Sequence, residues 1–471
     1  MLTDLNSTDI IEDTYSGYDV TIVGAGAAGI TLALKLSSKG KKVALVEAGG
    51  LEYSDESQQI YSAKTVGDPY FELDEARFRY FGGSTNQWSG MCRTFEPEDF
   101  NRGYLGDEYK WPIDFEELDR YRAEACEILE TPSEFNDVTF MDSDVESIDF
   151  NYSPVRFGSK YFETLAANPL VDIFLNSNLV DVTFSGDQVT SIKVASYNDN
   201  VSTISSQNFV FAMGGIENSR YLLWLQTKYG NSFISDECPV GRYWMEHPHF
   251  TLGQAIVEKR KVSEVFYSIS PQAQIDEGIM NCGFRVEDLS DEEGTIALIR
   301  DVLCLAPSLG QSLVSLAGKN LVCGVKFRAA WEQSPEARNR ILLDSEKDQF
   351  GIPKPILNWR KSELDRKTIV SSVERFNDWL LSIDGGRIKL HSWILNEEDY
   401  PINDELAGYH HLGGTRMHSS EKFGVVDSNC KVYGSSNLYM AGSSIFTTGG
   451  HNNPTMPIVQ FALRLADHLA T

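Results

Sequence analysis

The chain has 471 residues, of which 42% are hydrophobic and 11% aromatic; this length favours two domains, and this apolar content excludes a mainly disordered chain. Acidic residues outnumber basic ones by 68 to 41, which gives a formal net charge of −27. A surface this acidic argues against a nucleic-acid partner, because phosphate groups need basic side chains, and it weakly disfavours strongly anionic substrates.

A βαβ unit is predicted close to the N-terminus. Residues 18–23 are typical of a short buried strand, residues 30–38 of a helix and residues 42–47 of a second buried strand, with a glycine-rich turn at residues 24–29. The acidic residues before this unit lack the basic and apolar stretches of a secretory signal. The chain is therefore expected to open with a strand, turn, helix and strand of the parallel α/β kind.

The next part of the chain is predicted to alternate loops, helices and strands. Residues 80–92 are a polar stretch rich in glycine, serine and asparagine, which favours a loop. Residues 114–129 have helical periodicity with acidic residues at their start. The acidic residues 142–152 are expected to be a surface excursion, and residues 171–194 to hold two or three strands.

A second passage from a strand through glycines into a helix is predicted further along. Residues 209–213 form a buried strand that ends at two glycines, and a helix is expected near Glu217. Residues 250–400 mix strand-like stretches with amphipathic ones such as residues 362–381, and we interpret them as a substrate domain. A closing helix is predicted at residues 455–469, with a proline in its first turn.

No metal site, c-type haem or membrane span is predicted. The seven cysteines are scattered, and no pair has the C-x-x-C spacing typical of such sites. Scattered thiols fit a reducing compartment, so a cytoplasmic location is expected. No window approaches the roughly 18 apolar residues that cross a bilayer.

The glycine-rich turn carries the first functional prediction. Gly24, Gly26 and Gly29 follow a strand and open a helix: the first allows the tight turn, the second lets the backbone approach a pyrophosphate, and the third permits close helix packing. The helix N-terminus offers unpaired N–H groups to negative charge. Glu47, at the end of the next strand, is placed to accept ribose hydroxyls. These features predict dinucleotide binding.

Several further segments resemble one enzyme family. They lie at residues 79–90, 209–223, 240–248, 348–353, 411–417 and 424–454. In this order and at these separations they closely resemble the glucose–methanol–choline (GMC) oxidoreductases, which bind FAD. The short loop GGSTNQW is most similar to pyranose oxidase and the membrane-associated sugar dehydrogenases. That subgroup can carry a covalent flavin bond on a histidine before the tryptophan; here the position is Gln87, so the resemblance implies a non-covalent FAD.

The resemblance also implies a catalytic pair. Counted from its H-x-x-G-T pattern, the general base falls on His411, and counted from Asn-Pro-Thr, its partner falls on Asn453. A neutral imidazole can take a hydroxyl proton near pH 7, and a neutral amide can orient the alcohol oxygen. Asn452 is the alternative to Asn453. His451 is expected either to line the substrate pocket or to cap a turn, and His410 to be structural.

Further contacts with the cofactor are implied by the same motifs, and His247 is expected to have a structural role near the domain interface. The implied cofactor-binding residues are Gly24, Gly26, Ala27, Ala28, Gly29, Glu47, Ala48, Gly82, Gly83, Ser84, Asn86, Gln87, Trp88, Val180, Gly214, Gly442, Ser443, Asn453, Pro454 and Thr455.

The predicted fold class is α/β, or α+β over the whole chain. A discontinuous Rossmann-type FAD-binding domain is expected from residues 1–105, 165–250 and 405–471. Residues 106–164 and 251–404 are expected to form excursions and a sheet-based substrate domain covered by helices.

The predicted function is FAD-dependent oxidation of an alcohol on a sugar, glycoside or cyclitol, by hydride transfer to flavin N5 with His411 as general base. Oxygen, a quinone or a protein carrier are all open as electron acceptors. The alternatives are a lyase in which the flavin is structural and His411 acts as acid and base, or a flavin-binding protein without catalysis. Substrate-driven flavin reduction separates the first function from the other two.

Overall fold

The computed structural model describes residues 1–7, 13–230, 234–257, 261–262, 265–288, 325–396, 398–401 and 408–471. Its strands are β1 Leu2–Asp4, β2 Thr14–Val23, β3 Val43–Val46, β4 Lys64–Gly67, β5 Met91–Cys92, β6 Val138–Thr139, β7 Val145–Ile148, β8 Asn151–Tyr152, β9 Val171–Leu175, β10 Asn178–Ser185, β11 Gln188–Ala195, β12 Val201–Phe211, β13 His249–Val257, β14 Phe266–Ile269, β15 Cys282–Asp288, β16 Val325–Trp331, β17 Arg340–Lys347, β18 Pro353–Trp359, β19 Gly386–Leu390 and β20 Leu438–Met440. Its α-helices are α1 Ala27–Ser38, α2 Asp55–Gln58, α3 Phe115–Asp119, α4 Arg122–Leu129, α5 Phe157–Ala166, α6 Gly214–Tyr229, α7 Pro271–Glu277, α8 Glu363–Ser382, α9 Ser392–Leu395 and α10 Thr455–Ala470.

The first large sheet contains the predicted βαβ unit. Its strands run in the order β1, β9, β3, β2, β12, β11 and β10, with β20 paired to the end of β12. Strand β2 is parallel to β3 and to β12, and β3 is parallel to β9. All four residues of β3 are buried, because helices and loops cover both faces of a parallel sheet. The predicted mixed α/β fold with a Rossmann-type unit is confirmed.

The second large sheet runs in the order β19, β13, β16, β15, β14, β7 and β6, and its pairs are antiparallel. Side chains along β16 alternate between buried and half-buried positions. On the buried face, Phe284 and Phe327 stack on Phe376 of α8, with ring centroids 5.2 and 5.5 Å away. This helix-covered sheet is the second sheet-based unit that the sequence predicted. The exact domain boundaries stay predictions.

Two local predictions differ from the structure. Residues 142–152 are not only a surface excursion, because they contain β7, which pairs with β14 and buries Val145. The apolar residues at both ends of β7 are buried, while Glu146 and Ser147 between them are half-buried. The helix predicted at residues 114–129 is two helices, α3 and α4, because Tyr121 leaves the helical conformation at φ −93° and ψ 1°.

No helix within the described ranges is both long enough and apolar enough to cross a membrane.

Candidate active site

The turn after β2 contains three glycines of two kinds: two pack against neighbouring backbone, and one faces open space. A Cβ on Gly29 would lie 1.9 Å from the carbonyl oxygen of Gly24, and one on Gly24 would lie 2.5 Å from that of Ala212. Gly24 also has a φ of +106°, which favours glycine. A Cβ on Gly26 would meet nothing within 4 Å. Backbone packing therefore requires the outer two glycines, while the middle one leaves room beside the turn.

Glu47 lies at the end of β3, buried under the turn. Its Oε2 accepts from the N–H of Ala25 at 2.9 Å, and its Oε1 accepts from the N–H of Gly49 at 3.0 Å. Burial raises the pKa of this carboxyl, although the backbone hydrogen bonds and Arg79 oppose the effect. The carboxylate is thus fixed at the edge of the cavity described next.

A cavity of about 680 Å³ runs along the carboxyl ends of the first sheet. Of the residues predicted from sequence, it is lined by Gly24, Gly26, Ala27, Ala28, Glu47, Gly83, Ser84, Gln87, Trp88, Gly214, His411, Gly442, Ser443, Asn453, Pro454 and Thr455. Six other predicted residues do not line it: Gly29, Ala48, Gly82, Asn86, Val180 and His451.

The shape and chemistry of this cavity fit FAD. Gly26, Gly214 and Gly442 come from three separate parts of the chain, and a Cβ on any of them would meet nothing within 4 Å. Their bare backbone forms a cradle into which a side chain would protrude. Helix α1 begins beside it and directs its first N–H groups, the natural partners of a pyrophosphate, toward the cavity end at Gly26.

Asn86 and Gly82 do not line the cavity, but they hold its wall in place. The amide of Asn86 donates to the carbonyl of Phe81 at 2.8 Å and accepts from the N–H of Gly158 at 3.0 Å. A Cβ on Gly82 would lie 2.3 Å from the Asn86 Oδ1. These residues hold the GGSTNQW loop against α5, and they act on the cavity only through that loop.

A smaller cavity of about 230 Å³ adjoins the first. The residues that line both are Ser89, Met91, Gly408, His410 and Asn453. The remaining wall is supplied mainly by the second sheet and includes His249, Arg285, Arg328 and Ala330. A cofactor-sized space and a substrate-sized space therefore meet at His410 and Asn453.

Two adjacent histidines have different surroundings at this junction. The Nδ1 of His410 lies 2.8 Å from the Nδ1 of His247, and His410 lines both cavities. The Nε2 of His411 lies 3.1 Å from the hydroxyl of Tyr70, and His411 lines only the larger cavity. The hydroxyl of Tyr70 donates to the buried carboxylate of Glu246.

His247 and His411 are buried and His410 is half-buried, and desolvation is the main reason that all three imidazoles favour the neutral form. It lowers the pKa of His411 to about 3 and that of His247 to about 4, and it lowers the pKa of His410 well below its usual value. A neutral imidazole is a competent proton acceptor. Either member of the His410–His411 pair could therefore serve as a base on charge grounds, and position has to distinguish them.

Asn453 and its two predecessors occupy distinct positions. The amide of Asn453 donates to the carbonyl of Met91 at 3.0 Å, and the residue lines both cavities. Asn452 is buried and lines neither cavity. His451 borders the smaller cavity, and neither of its ring nitrogens has a hydrogen-bond partner within the described part of the chain. Its Nε2 lies 3.7 Å from the carboxylate of Glu96.

Sequence reasoning missed several residues at the site. Tyr70 and Glu246 support His411, while Arg285, Arg328 and His249 border the smaller cavity. Glu246 lies beside His247 in the segment at residues 240–248, which the sequence analysis had singled out, so that motif could have led to it. The two arginines lie on strands without any motif, and only strand pairing brings them together.

Two family models match parts of this chain, and two known dehydrogenases match nearly all of it. Residues 335–462 match the family model described as GMC oxidoreductase, and residues 19–56 match that of an FAD binding domain. The fructose dehydrogenase large subunit of Gluconobacter japonicus is 23% identical, over 95% of this chain and 97% of its own length. The 2-methyl-1,2-propanediol dehydrogenase of Mycolicibacterium austroafricanum is 21% identical, over 96% of this chain and 95% of its own.

Solved structures share the fold over nearly the whole chain. Pyridoxine 4-oxidase from Mesorbium loti has a TM-score of 0.62 at 16% identity, covering 96% of this chain and 99% of that one. A fungal aryl-alcohol oxidase has a TM-score of 0.59 at 14% identity, covering 98% of this chain and 99% of that one.

Proposed function

The chain belongs to the glucose–methanol–choline oxidoreductase family, and we propose that it oxidises an alcohol group on a sugar-like or polyol substrate, with FAD bound in the larger cavity. One observation carries this proposal. The cofactor-sized cavity adjoins a smaller one, and His410 and Asn453 line both. The relatives named for fructose and for a propanediol support a hydroxylated substrate.

The residues that would hold FAD are the bare glycines of the cradle, Gly26, Gly214 and Gly442, together with Glu47. When bound, FAD supplies the chemistry of accepting a hydride from the carbinol carbon. Gln87 stands where relatives with a covalent flavin have histidine, and an amide cannot form that bond. We therefore propose a non-covalently bound cofactor.

We propose His410 as the acceptor of the hydroxyl proton. The sequence pattern assigned this role to His411, but only His410 borders the space where a substrate would lie. Its Nδ1 contact with His247 leaves Nε2 as the second ring nitrogen, and desolvation lowers the pKa of the ring, which favours its neutral form. His411 is the second candidate, because it lines the larger cavity and Tyr70 fixes its ring.

Asn453 would orient the alcohol. Its Nδ2 donates to the carbonyl of Met91, which fixes the amide plane at the junction of the two cavities. An amide does not accept a proton at neutral pH. It can therefore hold the substrate oxygen beside the base while the base alone takes the hydroxyl proton.

The test is anaerobic reduction of the flavin in purified holoenzyme by a panel of sugars, cyclitols, polyols and simple alcohols. Bleaching by a hydroxylated compound supports the proposal, and reoxidation by oxygen, a quinone or a protein carrier then identifies the acceptor. A flavin that no panel member reduces, together with turnover of a cyanohydrin, would replace the proposal with the lyase function.

A further inference from the structure

The second sheet presents two arginines side by side at the smaller cavity. Arg285 on β15 and Arg328 on β16 are direct partners in the antiparallel ladder, and both line the cavity. Like charges directly opposite each other destabilise a strand pair. Their juxtaposition beside a cavity therefore needs an anion to compensate it.

Glu287 supplies only half of that compensation. Its two carboxylate oxygens lie 3.1 Å from the Nη1 of Arg285 and 2.7 Å from the Nη1 of Arg328. Among the residues that the structure describes, this one negative charge against two positive charges leaves a surplus of one. The cluster of Arg285, Arg328 and Glu287 is thus a cationic site of single net charge.

The arginines also have unused donors. The Nε of Arg285 and the Nε of Arg328 are both buried, and neither has a hydrogen-bond partner among the residues that the structure describes. A buried donor without a partner is costly. An arginine binds a carboxylate through two parallel N–H groups. Glu287 lies against the Nη1 of each guanidinium group, and the Nε of each remains for a second carboxylate.

Small residues keep space open in front of these donors. Gly283 and Ala330 are ladder partners, each two residues along its strand from one of the arginines, so they lie on the same face of the sheet. His249 is the next partner of Ala330 along that row. The floor of the cavity is therefore bare between the arginines and the imidazole of His249.

We propose that the substrate is an alcohol that also carries a carboxylate, which Arg285 and Arg328 bind while its hydroxyl lies at the junction of His410 and Asn453. This inference rests on the function proposed above. A monoanion balances the single surplus charge, whereas a phosphate dianion would exceed it beside Glu287. A volume of about 230 Å³ suits a hydroxy acid or a sugar acid rather than an oligosaccharide.

Two neutral histidines would form hydrogen bonds with the remaining hydroxyls of such a substrate. His249 and His451 both border the cavity. Burial, aided by Arg328 and Arg285, lowers the pKa of His249 to about 4, and burial also lowers the pKa of His451. Each imidazole then offers one donor and one acceptor, as a hydroxyl requires.

The acidic surface does not oppose an anionic substrate inside this cavity. The net charge of −27 is spread over the whole chain, and charges further away than about 8 Å are largely screened at physiological ionic strength. The two guanidinium groups act at contact distance. The weak sequence-based argument against anionic substrates therefore does not extend to this site.

The experiment compares matched substrates on the holoenzyme at constant ionic strength. Gluconate is paired with glucitol and glycerate with glycerol, because each pair differs in a carboxylate. We expect the acids to bleach the flavin at about 10- to 100-fold lower concentration. In Arg328→Gln, KM for the acids should rise by a similar factor with little change in kcat, since binding is lost equally in ground and transition states.

A binding measurement separates this inference from the proposed function. Butyrate and butyramide share their carbon skeleton and have no hydroxyl to oxidise. Butyrate should raise the Tm of the wild-type protein more than butyramide does, and Arg328→Gln should abolish the difference; Arg285→Gln replaces it if that variant does not fold. Arg338→Gln is the matched control, because that arginine is 56% exposed and pairs with Glu336.

Equal Tm shifts with butyrate and butyramide would overturn the carboxylate site, whether or not any alcohol reduces the flavin. Preferential bleaching by glucitol and glycerol would overturn it while upholding the oxidation. Absence of bleaching with a butyrate-specific Tm shift would uphold the anion site and refute the oxidation.

Discussion

The Nδ1 atoms of His247 and His410 lie 2.8 Å apart. One ring must donate and the other accept, so at least one Nδ1 is without a proton. Protonation of both Nδ1 atoms would break this contact. Because His247 is buried and His410 is half-buried beside the cavities, the pair links the protonation state of the junction to the stability of the fold.

Acid should destabilise the protein through His247. Burial lowers its pKa in the folded chain to about 4, whereas the unfolded chain takes up a proton near pH 6.5. The unfolded state thus binds more protons between these values, so stability falls as the pH drops from 6.5 toward 4. We expect His247 to contribute a loss of about 2 kcal/mol between pH 7 and pH 5.

Urea unfolding of the apoprotein at the two pH values measures this loss. His247→Gln should lose less stability on acidification than the wild type, and His391→Gln, which changes an exposed histidine, should behave like the wild type. An unchanged pH dependence in His247→Gln would contradict the assignment.

The two junction histidines should differ in their effect on catalysis. His410→Ala should slow substrate-driven flavin reduction about 10²- to 10⁴-fold while retaining FAD, because it removes a general base. His411→Ala should slow it far less, since that ring borders only the larger cavity. Stopped-flow absorbance under anaerobic conditions gives both rates. A larger loss of rate in His411→Ala than in His410→Ala would show that His411 is the base.

The two glycine positions of the turn should separate cofactor binding from folding. Gly26→Ala places a methyl group in open space beside α1, so FAD occupancy should fall while the unfolding of the apoprotein stays unchanged. Gly29→Ala places the methyl group 1.9 Å from the Gly24 carbonyl oxygen, so the apoprotein itself should be destabilised. Flavin absorbance per protein and apoprotein Tm measure the two effects. Full FAD occupancy in Gly26→Ala would show that the cofactor does not approach there.

A buried ion-pair network should be essential to stability. Glu217 lies 2.7 Å from Arg77 and 2.8 Å from Arg220. Burial alone would raise the pKa of this carboxyl, but the two guanidinium groups lower it overall. Glu217→Gln should cost about 3–5 kcal/mol, because buried Arg77 loses its carboxylate partner and buried Arg220 is left with Asp348 alone among the described residues. Glu346→Gln removes an exposed partner of Lys354 and should cost at most about 1 kcal/mol in the same urea titration.

The flavin should leave the protein on denaturation. Precipitation of the holoenzyme with trichloroacetic acid is expected to release FAD into the supernatant, because Gln87 offers no nucleophile for a covalent bond. The supernatant absorbance measures the released fraction. A pellet that stays yellow would show a covalent link through another residue.

The sequence predicted most strands of the first sheet, and most of the residues predicted to bind the cofactor line the cavity at its edge. The βαβ unit and the strands at residues 171–194 were recognisable because runs of apolar and β-branched residues are separated there by turn residues. The break between α3 and α4 was not, since Tyr121 and its neighbours keep helical periodicity across it. Strand β7 was hidden among acidic residues, because only its two end residues face the core.

The sequence by itself determined the family resemblance, the glycine turn after β2 and the segment that carries the histidine pair, because these are contiguous motifs whose spacing is set by the local backbone. The tertiary structure alone decided which side chains meet at the substrate cavity. His410 borders both cavities because β-bridge pairing of Leu412 with Met245 aligns its segment beside His247. Arg285 and Arg328 are neighbours only through the register of β15 on β16, and a register one residue different would turn them to the opposite face.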